Sequence, residues 1–279
     1  MRLLSTTLLG CIALPVVFAA CNKSGKETAA PNTNDLQATS EIAVQGANNE
    51  ILMLDDEHLV DMNIPLYLSD SRIPFASSIP STCPKITITP ATGFPRTIVM
   101  DFGEGCTRNG VTRSGQIVVM MSDYRDKPGS TVITTYNNYF VNRVKTEGKI
   151  TWNNTTTDGA RGWVSKIENL KMTRPDGKFT VQNAIKETRQ IAGVRTTENN
   201  DDGFATTGRG MIKTSEGASR SHAITTPLEK FNNCRWISKG VMKTEGNGHS
   251  VVMDYGNGTC DNKATITKDG GEPSSIELR

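Results

Sequence analysis

The chain has 279 residues, with 31 Lys and Arg against 29 Asp and Glu, for a formal net charge of +2. Cations this few in excess, and dispersed along the chain, exclude the basic field that nucleic-acid binding requires. Gly is abundant at 25 residues, Thr, Asn and Ser are conspicuous, and no long Leu- or Ala-rich run follows the N-terminus, which is the palette of a β-sheet protein and not of a helical bundle.

Arg2 precedes a largely apolar run from Leu3 to Ala20, broken only by Ser5, Thr6 and Thr7, and Ala19 and Ala20 stand before Cys21. A short positive region, an apolar stretch and small residues at the cut make residues 1–20 a signal peptide. The run is about 18 residues with Pro15 inside it, the short limit for a membrane span. Phe18-Ala19-Ala20-Cys21 resembles the lipobox of bacterial lipoproteins, which implies cleavage before Cys21 and a membrane-anchoring lipid on it. Leu8-Leu9-Gly10-Cys11 also fits the motif but leaves an apolar region at the bottom of the usual length. Asn22 stands where Asp would imply inner-membrane retention, so the resemblance implies the outer membrane and leaves open which side the body faces. Residues 21–45 are polar and without hydrophobic periodicity, and are predicted to be a flexible tether to a body at 46–279.

The body opens with one predicted short amphipathic helix over Asn49–Met62, where Ile51, Leu52, Leu54, His58, Leu59 and Met62 share a face. The rest is predicted to be all-β. Candidate strands are Gln116–Asp123, Thr131–Phe140, Val144–Trp152, Gly162–Met172, Lys178–Thr188, Phe204–Thr214, Arg220–Thr226 and Ala264–Thr267. Lys127-Pro-Gly129 and Arg174-Pro-Asp-Gly177 are turn signals between them. This spacing fits an antiparallel meander in a sandwich, a barrel or a long curved sheet.

An internal repeat brackets these strands. One copy, 83–106, runs Cys83-Pro-Lys-Ile86 and then Thr97 to Cys106. The other, 234–260, runs Cys234-Arg-Trp-Ile237 and then Ser250 to Cys260. Both carry Val-Met-Asp-aromatic-Gly-x-Gly before the closing Cys. Each reads as a Cys opening a strand, a turn (Thr89–Gly93 or Thr244–Gly248), and a return strand whose Asp101, Gly103 and Gly105, or Asp254, Gly256 and Gly258, form a structural corner. With Cys11 in the leader and Cys21 lipidated, Cys83, Cys106, Cys234 and Cys260 remain, an even number suited to two disulfides in an exported body. Hairpin closure favours Cys83 with Cys106 and Cys234 with Cys260, while spacing alone leaves the crossed connectivities open. From about Cys83 to Arg279 the chain resembles an uncharacterised group of Gram-negative lipoproteins with twinned Asp-Phe/Tyr-Gly-x-Gly-Cys-type hairpins, a resemblance that implies a fold and no activity.

Catalytic and metal-binding patterns are sparse. His58, His222 and His249 lack the i, i+4 spacing of a zinc helix, no Cys-x-x-Cys pair exists, and Asn199–Gly203 lacks the alternating ligands of a calcium loop, so no metal and no cofactor is expected. There is no Gly-x-Ser-x-Gly elbow, and Gly103-Glu-Gly105 and Gly208-Arg-Gly210 lack the rest of a phosphate loop. Asp101 and Asp254 are repeat-related carboxylates that would serve glycoside hydrolysis only if brought within about 5–9 Å, and turn chemistry is the better account of both. Trp152, Trp163, Trp236, Tyr124, Tyr136, Tyr139 and Phe140 are read as core more than as a sugar platform, and strict alternation does not put Tyr136, Tyr139 and Phe140 on one face. The expectation is a membrane-anchored, non-enzymatic structural or ligand-binding module with a glycan or protein ligand. The alternatives are a polysaccharide hydrolase using paired carboxylates and a lipid carrier with a half-open β-sheet.

Overall fold

One long helix, α1 (Thr33–Asn63), precedes fourteen strands in a computed structural model that describes residues 33–63, 83–108, 110–194, 196 and 198–278. The first seven strands are β1 (Lys85–Thr89), β2 (Arg96–Asp101), β3 (Cys106–Arg108), β4 (Val111–Met121), β5 (Thr131–Val141), β6 (Val144–Asn154) and β7 (Gly162–Thr173). The others are β8 (Phe179–Ala192), β9 (Gly203–Thr214), β10 (Ser219–Phe231), β11 (Lys239–Gly246), β12 (His249–Asn257), β13 (Lys263–Lys268) and β14 (Ser274–Glu277). All belong to one sheet in which hydrogen bonding follows chain order from β1 to β14, with β3 as a side partner of β4. Every pairing is antiparallel and the sheet is not closed, so the meander is the long curved sheet and neither sandwich nor barrel.

The curvature comes from bulges set at mid-strand. Register slips between Ser114 and Gln116 on β4, Thr135 and Tyr139 on β5, Glu147 and Lys149 on β6, and Ile167 and Leu170 on β7. It slips again between Ile224 and Leu228 on β10 and between Lys239 and Val241 on β11. Each bulge bends its strand and raises the local twist. Glycine is required where backbones meet at the bend: a Cβ on Gly115 (φ +76°) would lie 1.9 Å from the Asn138 carbonyl oxygen, and one on Gly240 (φ +117°) would lie 2.3 Å from that of Pro227. The β5 bulge, with Asn138 at φ 46°, also brings Tyr136 and Tyr139 together as stacked rings 5.4 Å apart, although an unbroken strand would send them to opposite faces.

The concave face is filled by α1. Five consecutive helix residues, Glu50–Leu54, are buried, which one face of a helix cannot supply; sheet surrounds this stretch. Two apolar clusters meet along it. Leu52, Met53 and Val60 pack with strands β2 to β8, whereas Ala43, Ala47, Ile51 and Leu54 pack with Leu228, Met242, Met253 and Tyr255. The helix therefore joins both halves of the core.

Two sequence expectations change here. The helix is 31 residues long and begins at Thr33, so 33–45 is ordered helix and not tether, and the short Asn49–Met62 helix is only its second half. The signal was hidden because most buried positions of the first half are small or polar, among them Thr39, Ser40, Ala43 and Ala47, with Ile42 the large apolar one, so no apolar stripe develops. The segment Cys234–Ile237 lies in the loop before β11 and does not open a strand. Residues 1–32, including the leader and Cys21, lie outside the described residues.

Candidate functional site

The repeat-related carboxylates are the first sites to place. In both copies the methionine and the aromatic point into the core, with Met100, Phe102, Met253 and Tyr255 buried, so the intervening Asp faces outward. Asp101 Oδ1 accepts the Gly103 N–H at 2.8 Å and its Oδ2 accepts from Gln116 at 3.0 Å; Asp254 Oδ1 accepts the Gly256 N–H at 2.9 Å. Hydrogen bonds from Gly103 and then Gln116 hold the Asp101 carboxyl below the usual range, as suits a permanently ionised turn anchor. Strands β4 to β11 separate the two in the sheet order, and each carboxylate is committed to its own corner. Gly103, Gly256 and Gly258 take positive φ at these corners, and Gly105 follows within the first. Cys83 is bonded to Cys106 and Cys234 to Cys260, with Cα separations of 6.1 and 5.8 Å, so each copy is closed on itself.

The chemistry of the molecule is concentrated on the concave face, where the sheet presents cations and α1 presents acids. Glu50 pairs with Lys186 of β8, and Asp55 with Arg113 of β4. Arg113 Nε also donates to Asp56 Oδ1 at 3.2 Å, and the Tyr139 hydroxyl donates to the same oxygen at 2.7 Å. At the helix end Asp61 pairs with Arg125 and with Arg161, the latter at 3.0 Å, and Arg161 pairs in turn with Asp202. Near the helix start Arg220 Nε donates to Thr39 Oγ1 at 2.7 Å and its NH2 lies 3.4 Å from Asp35. The Arg125 guanidinium sits over both Trp152 and Trp163, at 4.4 and 4.6 Å from their centroids, an arrangement that desolvates the charge while the ring faces stabilise it.

Leu54, Glu57, His58 and Asp61 of α1 face Arg125, Trp163, Phe204 and Lys230 across a small, partly open cavity of about 40 Å³. Burial dominates the ionisation here. It raises Asp56 to about 6 against the opposing pull of Arg113 and Tyr139, and Glu57 to about 7 against Lys186 and Arg125. It lowers His58 to about 4, with Lys230 acting in the same sense, and His222 to about 4, with Lys186 adding to it. Both imidazoles are therefore neutral at physiological pH, and among the described residues no cluster of His, Cys, Asp and Glu has the arrangement to hold a metal. His249 instead bonds Asp269 through Nδ1 at 2.7 Å. The Asn199–Gly203 segment forms a short 3-10 turn whose Asp202 is held by Arg161 and Gln190.

The aromatics follow the core reading: Trp152 and Trp163 are buried, and Trp236 is partly buried against the second cluster. Four large apolar side chains are exposed among the described residues, Met120, Ile185, Ile191 and Met211, and Ile185 and Met211, 58% and 54% exposed, border an open groove of about 630 Å³ with Lys166, Arg209, Ala223 and Lys243. Sequence reasoning missed the charged trough because its residues, from Arg113 to Lys230, lie far apart in the chain. The one local signal was the acidic run Asp55-Asp56-Glu57, with Asp61 one turn on, directly after the apolar stretch Ile51–Leu54.

Fold and site define a class by geometry alone, an open antiparallel meander curled around its own N-terminal helix through buried ion pairs. No family model, no curated protein and no solved structure matches the chain.

Proposed function

We propose that this chain is an exported, lipid-anchored module of the bacterial cell envelope that works by structure or by binding and not by catalysis. The observation that carries the reading is the pair of disulfides closing both repeat hairpins, in a body that follows a lipobox-bearing leader. Such bonds form and persist in oxidising compartments, and in a reducing one all four sulfurs would be thiols. The filled trough agrees with a non-catalytic role. A cavity of about 40 Å³ admits roughly two or three waters and no acyl chain or sugar ring, which speaks against the lipid-carrier alternative. Asp101 and Asp254, each spent on a turn, leave the hydrolase alternative without its carboxylate pair. The convex groove at Ile185 and Met211 is the surface offered to a glycan or protein ligand.

In this reading the lipid supplies the attachment; no helix among the described residues is long and apolar enough to cross a membrane. Metabolic labelling with an alkyne fatty acid followed by membrane fractionation tests it. The wild-type chain is expected to take up label and sediment with outer membranes, and Cys21→Ser to lose both label and sedimentation. Label retained by Cys21→Ser would move the anchor to another residue. An unlabelled wild-type chain in the soluble fraction would end the lipoprotein reading.

A further inference from the structure

We propose that Glu57 holds a proton while α1 lies in the trough, so that seating of the last two turns of the helix is linked to pH. The inference starts from which charges are already matched. Glu57 is 8% exposed, and among the described residues no Lys, Arg or His forms an ion pair with it; the Trp152 indole lies beside it. Every cation that faces it is engaged elsewhere. Lys186 is taken by Glu50, Arg125 and Arg161 by Asp61, and Arg113 by Asp55 and Asp56, while Lys230 donates to the Cys234 carbonyl at 2.8 Å.

The count is also unequal. Glu50, Asp55, Asp56, Glu57, Asp61 and Asp202 are six acids, against the five cations Arg113, Arg125, Arg161, Lys186 and Lys230. Asp126 adds a further negative charge toward Arg125 and Arg161, Tyr136 faces Glu57 as a neutral phenol, and the neutral His58 contributes nothing. An ionised carboxylate at this position would be a buried charge without an ion-pair partner among the described residues, a costly arrangement that the more distant Lys186 and Arg125 only partly offset. Protonation removes it. The lift of Glu57 to about 7, caused first by burial, agrees with the geometry.

The seated helix binds the proton and the freed helix does not, so seating weakens as pH rises from the ordinary glutamate value toward about 7 and is constant above that. Asp56, lifted to about 6, acts in the same sense. His58 and His222, both lowered to about 4, act oppositely up to about a unit above their ordinary 6.5. The part due to Glu57 is therefore read as the difference between the wild type and a Glu57 variant, in which the other groups cancel.

Hydrogen exchange of the full chain, followed by mass spectrometry on peptides covering residues 54–63 and corrected for the intrinsic rate, reads this window. The wild-type opening relative to that of Glu57→Gln, which keeps the size and hydrogen-bonding shape of the neutral acid, is expected to rise about fourfold from pH 6.5 to pH 8, the change given by a titration near 7. The exposed Glu41→Gln is expected to show the same fourfold rise against Glu57→Gln as the wild type does. Infrared titration adds a direct readout: a protonated-carboxyl component with a midpoint near 7 should vanish between pH 6 and pH 8 and be missing from Glu57→Gln, which keeps only the Asp56 component near 6. Openings of the wild type and of Glu57→Gln that change alike with pH would overturn the linkage. A band that persists with the same midpoint in Glu57→Gln would assign the proton to Asp56 and overturn the assignment to Glu57.

Discussion

Arg113, 7% exposed on β4, answers two adjacent helix carboxylates and the Tyr139 hydroxyl with one guanidinium. Such a buried network is not a large net source of stability compared with apolar residues of the same shape, but removing one member leaves the others buried and uncompensated. Arg113→Met keeps the apolar stem of the side chain and deletes the guanidinium. It is expected to cost roughly 3–5 kcal/mol at pH 8. The loss should shrink at pH 5, because Asp56 is already raised to about 6 by burial and would rise further without Arg113. A carboxyl whose folded-state value is raised contributes stability at low pH that is lost as pH climbs. Urea unfolding at the two pH values measures the difference. An equal loss at both would mean that the Arg113 guanidinium acts through its packing and shape and not through its charge.

Among the elements, the two disulfide hairpins were the most legible in the sequence and α1 the least. The recurrence of Val-Met-Asp-aromatic-Gly-x-Gly led to the strands, the corners and the Cys pairing, because all of these are local and set by period-two alternation and turn chemistry. Helix α1 defeated the same reasoning: a helix surrounded by sheet needs no apolar stripe, and its buried acids look like solvent-facing ones until their partners are known. Strand β8 misleads in a related way, since Thr180, Gln182, Lys186, Thr188 and Gln190 face inward while Ile185 and Ile191 are exposed. An apolar-inside rule would turn it over. The trough was illegible for the same reason, its cations being matched only across long sequence separations. At this scale the Cys234–Cys260 bond can be weighed directly. Replacing both residues with Ala frees a loop with sequence separation 26 and is expected to lower stability by roughly 3 kcal/mol in urea, without change to the β-sheet circular dichroism. A loss below about 1 kcal/mol would show that the unfolded chain is already restricted there.

For the molecule as a whole, the decisive property is curvature, because the same fourteen strands laid flat would leave α1 without the surround that buries Glu50–Leu54. The bend is built from bulges on neighbouring strands, and Gly240 occupies the one between β10 and β11, with φ +117° and no space for a Cβ. Gly177, at the β7–β8 turn, has a positive φ of +81° but open space around it. The two glycines therefore separate conformational strain from curvature. Gly177→Ala is expected to cost only the left-handed penalty, about 1–2 kcal/mol. Gly240→Ala adds a collision with the Pro227 carbonyl that only movement of β10 away from β11 relieves, and is expected to cost more. Relaxing that bulge flattens the sheet against which Ala43, Ala47 and Ile51 pack, so hydrogen exchange in α1 should accelerate in Gly240→Ala and not in Gly177→Ala at matched distance from the unfolding midpoint. Equal acceleration in both would mean that α1 responds to global stability alone, and that the bulged seam shapes the sheet without holding the helix.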